Sequence, residues 1–145
     1  MENKVELGSI SSGTMRKDDL IPTFVYEILR IDPENRVALE IQEKMNNDEN
    51  YYKSEDSDYD LNESLFDELN ELCDIPYSYF GAHPGDGSDY GFWIDTERVD
   101  SDLRYGELKN VDDVEESFLA VEVNDHGNMT LYRYHLEREE VWGVV

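Results

Sequence analysis

The sequence predicts an α+β fold: about three N-terminal helices packed on a C-terminal antiparallel sheet, in a single domain of residues 1–145. Three observations lead there. Apolar residues recur at helical spacing through the first half. The period then shortens to that of strands, in runs rich in Tyr, Phe and Trp. Clusters of Gly, Pro and Asn punctuate the second half as turns do. With 39% hydrophobic and 12% aromatic residues, the chain has the apolar side chains to bury a core, which argues against wholesale disorder.

Residues 1–13 read as an arm or short strand running into a Ser-Gly turn, Gly8-Ser9-Ile10-Ser11-Ser12-Gly13. The first helix follows. Asp18 and Asp19 suit a positive helix N-terminus, Pro22 is tolerated in a first turn, and Leu20, Phe24, Val25, Ile28 and Leu29 keep helical spacing. A second helix is expected to start at Asp32-Pro33, an N-cap residue followed by proline, with Val37, Leu39, Ile41 and Met45 on its apolar side. Residues 46–63 read as an acidic loop, with Asp56, Asp58 and Asp60 alternating in an extended segment. The third helix places Leu61, Leu65, Phe66, Leu69 and Leu72 inward and Asp67, Glu68 and Glu71 outward, and Pro76 closes it. Tyr77–Phe80 and Tyr90–Ile94 read as aromatic strands joined by the connection Gly81–Asp89, in which Pro84-Gly85 and Asp86-Gly87 mark a reversal. Phe118–Val123, Met129–Tyr134 and Val141–Val145 form an antiparallel meander around Asn124–Asn128. Between the strands, Asp95–Glu116 fits a short helix with acidic loops.

Charge is the strongest feature of the composition. Acidic residues number 36 against 12 basic ones, a formal net charge of -24. Such a chain repels nucleic acid and anionic membranes and attracts surfaces rich in Lys and Arg. No basic cluster is present to hold an anionic nucleotide, and no apolar run approaches the roughly 18 residues that cross a bilayer. Met1–Leu7 lacks the apolar stretch of a secretory signal, and the single Cys73 falls in an apolar helical pattern, so a cytoplasmic protein with a packed thiol is expected.

Two constellations carry a chemical reading. Asp56-x-Asp58-x-Asp60 resembles the opening of a calcium loop, with Asn62, Ser64 and Asp67 at the seventh, ninth and twelfth places. Leu61 stands where that loop needs glycine, so a solvated acidic segment is the stronger reading and no metal or other cofactor is expected. His83 and His126 each lie among carboxylates, in the segments 83–89 and 124–128. If the two turns met, they would offer a zinc or acid–base site, the basis for a small metal-dependent hydrolase. Gly, Asn, Asp and Pro are also what turns require for backbone reasons, and that reading outweighs the first. No serine occupies a nucleophile elbow.

The stretches Gly8–Pro22, Gly81–Trp93, Val123–Asn128 and Val141–Val145 together resemble motifs of small acidic proteins of phages and mobile elements, a group to which no activity is assigned. By composition alone the chain is similar to phage DNA mimics, the antirestriction and anti-CRISPR proteins. That likeness implies a host-cytoplasmic inhibitor and transfers no residue roles.

A magnitude supports the comparison. Duplex DNA carries one charge per about 1.7 Å, so 24 charges correspond to about 40 Å of duplex, near the diameter of a compact domain of this length. The expected function is therefore an inhibitor or decoy that occupies the basic nucleic-acid-binding surface of a host defence protein. The expected contact residues are Glu55, Asp56, Asp58, Asp60, Asp67, Glu68, Glu71, Asp112, Asp113, Glu115 and Glu116. The alternative is a general interaction module whose acidity only steers and solubilises it, with some of the ten tyrosines as its contact face.

Overall fold

A computed structural model describes residues 5–106, 108–110, 119–134 and 138–144. They fall into two compact units, Met1–Asp74 with Ser78–Trp93, and Ile75–Tyr77 with Ile94–Val145. The fold is α+β.

In the first unit, strand β1 (Gly8–Ser11) precedes helices α1 (Lys17–Ile31) and α2 (Arg36–Asn47). A short 3-10 turn (Tyr51–Lys53) leads to a helical run made of α3 (Glu55–Tyr59), a π turn (Asp60–Leu65) and α4 (Phe66–Glu71). Strands β2 (Ser78–His83) and β3 (Asp86–Ile94) complete it. The sheet order is β1-β3-β2, with β1 antiparallel to β3. The expected Ser-Gly turn is thus itself a strand. Its fit depends on Gly91, which pairs with Ser9; a Cβ there would lie 2.1 Å from the Gly8 carbonyl oxygen, closer than any side chain permits.

Phe24 of α1 lies at the centre of the core. Its ring meets Phe66 at 5.7 Å, Phe80 at 5.1 Å and Tyr90 at 5.7 Å, all edge to face, and Phe80 meets Phe92 at 5.3 Å. The apolar spacing read from α1 is therefore the spacing that packs. Pro22 stands inside α1 rather than in its first turn, and helix α2 begins three residues later than Asp32-Pro33 predicts. Asp32 instead ends α1, its N–H donating to the Ile28 carbonyl at 2.7 Å. Asn35 caps α2 by accepting from the Ala38 N–H at 3.0 Å. Leu39, expected inward, is exposed.

The expected acidic loop is helical from Glu55 on. Ser54 caps the run by accepting from the Ser57 N–H. Ser57, Leu61, Leu65 and Leu69 are all buried, a spacing of four residues. In a regular α-helix such a row drifts about 40° per step and soon leaves the core. A π turn advances fewer degrees per residue, so the turn at 60–65 takes up the drift and holds both the buried row and its outer counterpart straight. Asn70 then joins the helix to the edge strand: its side chain accepts from the Phe80 N–H at 3.0 Å and donates to the Phe80 carbonyl at 3.3 Å.

The second unit holds helix α5 (Thr96–Arg104) and strands β4 (Lys109–Asn110), β5 (Leu119–Val123), β6 (Met129–Tyr134) and β7 (Arg138–Val144), in sheet order β4-β5-β6-β7. The last three form the expected meander, while β4 runs parallel to β5. The expectation of helices followed by one sheet is corrected accordingly: a strand precedes the helices, the described strands form two sheets, and α5 separates them. Val99, Leu108, Val121, Met129, Leu131 and Trp142 form this unit's core, with the Trp142 indole N–H donating to the Pro76 carbonyl at 2.9 Å. Tyr77 adopts φ 66°, a left-handed conformation unusual for a tyrosine. Its carbonyl accepts from the Asp95 N–H at 2.8 Å, its hydroxyl donates to Asp102 at 2.6 Å, and the Arg98 guanidinium lies 5.7 Å over its ring. These contacts hold the strained residue in place.

Candidate functional site: an acidic helix face

The helical run from Glu55 to Glu71 carries most of the acidic residues singled out from sequence, and it sorts them by face. Glu55, Asp56, Asp58, Glu63, Asp67 and Glu71 are exposed. Glu55, Tyr59, Glu63, Asp67 and Glu71 follow one another at a spacing of four, two residues out of step with the buried row and hence opposite to it. The π turn that keeps the leucines facing the core thereby keeps this row facing solvent. The alternation of Asp56, Asp58 and Asp60, expected to lie along an extended segment, instead winds around a helix.

Asp60 is the main correction. It is 6% exposed and turned inward, where it accepts a hydrogen bond from the Tyr51 hydroxyl at 2.8 Å and pairs with the Lys44 ammonium at 3.2 Å. Burial and the Asp60 carboxylate push the Tyr51 phenol well above its ordinary range. A carboxylate held this way binds α2, the 3-10 turn and the π turn together and is unavailable to a partner. Asp58 reaches back to Lys17 of α1 at 2.9 Å, and Glu68, half-buried, accepts from the Asn35 side chain at 3.4 Å. Asp58 and Asp60 therefore bind different lysines, Asp56 is exposed, and the three do not gather as calcium ligands. Asp112, Asp113, Glu115 and Glu116 lie outside the described residues.

The two histidine turns are accounted for locally. The His83 Nδ1 accepts from the Gly85 N–H at 2.9 Å, and its ring meets Trp93 edge to face at 4.8 Å. In the other turn the Asn124 side-chain oxygen accepts from the N–H groups of His126 and Asn128, and Gly127 supplies φ 81°. Among the described residues, no three His, Cys, Asp or Glu side chains gather as metal ligands. Cys73 is half-buried, its thiol donating to the Leu69 carbonyl, and burial pushes its pKa up. Among the described residues, no helix is long and apolar enough to cross a membrane.

Sequence reasoning missed two features. One is the Tyr51–Asp60–Lys44 network. The other is Glu27, buried in α1 and bound by Arg30 at 2.6 Å, an i,i+3 pair whose only signal was an acid at an inward helical position. Comparison with protein-family models, curated proteins and solved structures returned no match.

Proposed function

We propose that this protein is an acidic decoy that occupies the basic, nucleic-acid-binding surface of a host defence protein, in the manner of phage and mobile-element DNA mimics. The observation that carries this reading is the straight outer row of the helix. Seventeen residues from Glu55 to Glu71 span about 25 Å. One strand of DNA carries about seven phosphates over that length. The outer row itself offers four exposed carboxylates, Glu55, Glu63, Asp67 and Glu71; Asp56 and Asp58 beside it bring the helix to six, with Lys17 engaging Asp58. Over the exposed face as a whole the density approaches that of a single phosphate strand, and the four carboxylates of the row stand in solvent, open to the cations of a partner.

A second reading, a general interaction module, draws on a different observation. Acidic residues outnumber basic ones about threefold in both units, so the charge is not confined to one helix and can serve as long-range steering. Exposed Tyr26, Tyr59 and Tyr105 would then be the contact residues. Affinity capture from a bacterial lysate at low and moderate salt separates the two. The decoy captures DNA- or RNA-binding proteins, and added duplex DNA releases them. Capture also weakens with salt, because exposed charges are screened within about 8 to 10 Å at physiological ionic strength. Capture of a partner indifferent to nucleic acid overturns the decoy reading in favour of the module.

A further inference from the structure

Helices α1 and α2 are joined by a short turn at 32–35 and pack as an antiparallel pair, Pro22 near the start of α1 facing the end of α2 at Met45. Between them runs an open apolar groove of about 460 Å³, lined by Pro22, Val25, Leu29 and Met45 together with Tyr26, Gln42 and Arg30. Tyr26 is 70% exposed, an unusual amount for an aromatic side chain on the middle of a packed helix. Tyr26 also borders a smaller hollow of about 300 Å³, lined by Leu7, Ile10 and Thr23 together with the charged Glu6, Glu27 and Arg30. Tyr26 is thus a ridge between two depressions, the setting in which a tyrosine anchors a partner.

The charges around the groove are unequal at its two ends. At the far end Arg30 lies against Glu27, which neutralises it. Toward the near end, Asp19 precedes Pro22 by three residues on α1, and Asp48 and Glu49 follow Met45 just beyond α2; Asp18, next to Asp19, is taken up by Arg16. Three of the nearby cations are already engaged, Arg16 on Asp18, Lys17 on Asp58 and Lys44 on Asp60. An apolar floor with an acidic mouth complements a segment that has large apolar side chains next to Lys or Arg. It repels an acidic one.

We propose that the α1–α2 groove docks an amphipathic basic segment of the partner protein, its apolar side chains between Tyr26 and Met45 and its Lys or Arg residues at Asp19, Asp48 and Glu49. This rests on the decoy reading for the partner's basic character and adds an apolar contact that nucleic acid does not offer. Such a contact lets a mimic discriminate among basic proteins that electrostatics alone treats alike.

The test is an NMR titration with 13C-methyl-methionine and 15N-amide labels, using three synthetic peptides: a Leu/Lys amphipathic helix, an oligolysine of equal charge and a neutral Leu/Ser amphipathic helix. The Leu/Lys peptide is expected to shift the Met45 methyl saturably and to leave Met15 and Met129 in place. Oligolysine is expected to perturb the amides of Glu63, Asp67 and Glu71 without moving Met45. Tyr26→Ala, at an exposed position that leaves the core intact, is expected to weaken the Leu/Lys peptide about tenfold and to leave oligolysine binding unchanged. A silent Met45, equal shifts at Met15, Met45 and Met129, or equal affinity of the Tyr26→Ala variant overturns the groove. Equal binding of the neutral peptide overturns the basic character of its occupant. The two proposals fail separately: amides of the acidic row that respond while Met45 is silent leave the decoy standing without the groove, and the reverse pattern leaves the groove standing without the decoy.

Discussion

The inner and outer faces of the helical run from Glu55 to Glu71 carry the same chemical groups under opposite conditions. Inside, Asp60 is one carboxylate with two assigned partners, Tyr51 and Lys44, and little water. Outside, Glu63, Asp67 and Glu71 stand in solvent at a spacing of four. The two faces put acidity to different uses. A buried carboxylate organises the fold and costs a great deal when its partners are lost, whereas an exposed one adds little to stability and is available for recognition. Net charge alone does not distinguish the two.

The largest expected effect lies on the inner face. Asp60→Ala removes the acceptor of a buried phenol and the partner of Lys44. Because Lys44 is 45% exposed and regains water, the loss is about 2 kcal/mol rather than the full cost of an orphaned buried charge. Asp60→Asn keeps an acceptor for Tyr51 and is expected to lose less. Chemical denaturation monitored at both sites checks the order, and an Asp60→Ala variant as stable as the parent would make this carboxylate another solvated charge.

Next comes the alkaline limit. The folded state holds the Tyr51 proton more tightly than the unfolded chain, where the phenol titrates near 10. The resulting stability is complete below about pH 10 and is lost as pH rises from there toward the folded-state value. Thermal melts from pH 8 to 11 are expected to fall more steeply for the parent than for Tyr51→Phe, which has no phenol to ionise. Parallel curves would remove Tyr51 from the account. The smallest effect is at Asp58, 60% exposed on its bridge to Lys17: Asp58→Asn is expected to change stability by less than about 1 kcal/mol, as exposed pairs do. A loss as large as that of Asp60→Ala would erase the contrast between faces.

Much of this architecture was legible in the sequence. The spacing of Leu20, Phe24, Val25 and Ile28 marks the buried side of α1, and the aromatic runs mark β2 and β3, because each pattern is set by which side chains face one core. The start of α2 was displaced because Asp32 and Asn35 are both good caps, and the choice is made by tertiary burial of Asn35. The alternation of Asp56, Asp58 and Asp60 is compatible with an extended chain or with a helix viewed along its length. What selects the helix is the row Ser57, Leu61, Leu65, Leu69, which needs a π turn that no local propensity announces. At the site, Asp67 and Glu71 were placed outward as found, whereas Glu68, expected beside them, is half-buried against Asn35. Asp60 was not separable from its neighbours, since Tyr51 and Lys44 reach it from two other elements. The α1–α2 groove had no sequence signal beyond an apolar Met45, because a groove is a property of two surfaces.

Competition with nucleic acid for a basic surface is what the proposed function assigns to the outer face. Its most direct test measures how well the protein displaces labelled duplex DNA from a nucleic-acid-binding protein captured from lysate. The comparison is between the parent, the outer-row variant Glu63→Gln/Asp67→Asn/Glu71→Gln, and a control that neutralises exposed acids of the second unit, Glu97→Gln/Glu122→Gln/Asp125→Asn. If each outer-row carboxylate meets a cation, at about 1 kcal/mol apiece, the outer-row variant loses on the order of a hundredfold in displacing power with unchanged stability. The control is expected to stay near the parent. Equal losses in both variants, arising only from slower association, would reduce the acidity to steering, and no loss in either would contradict the claim outright.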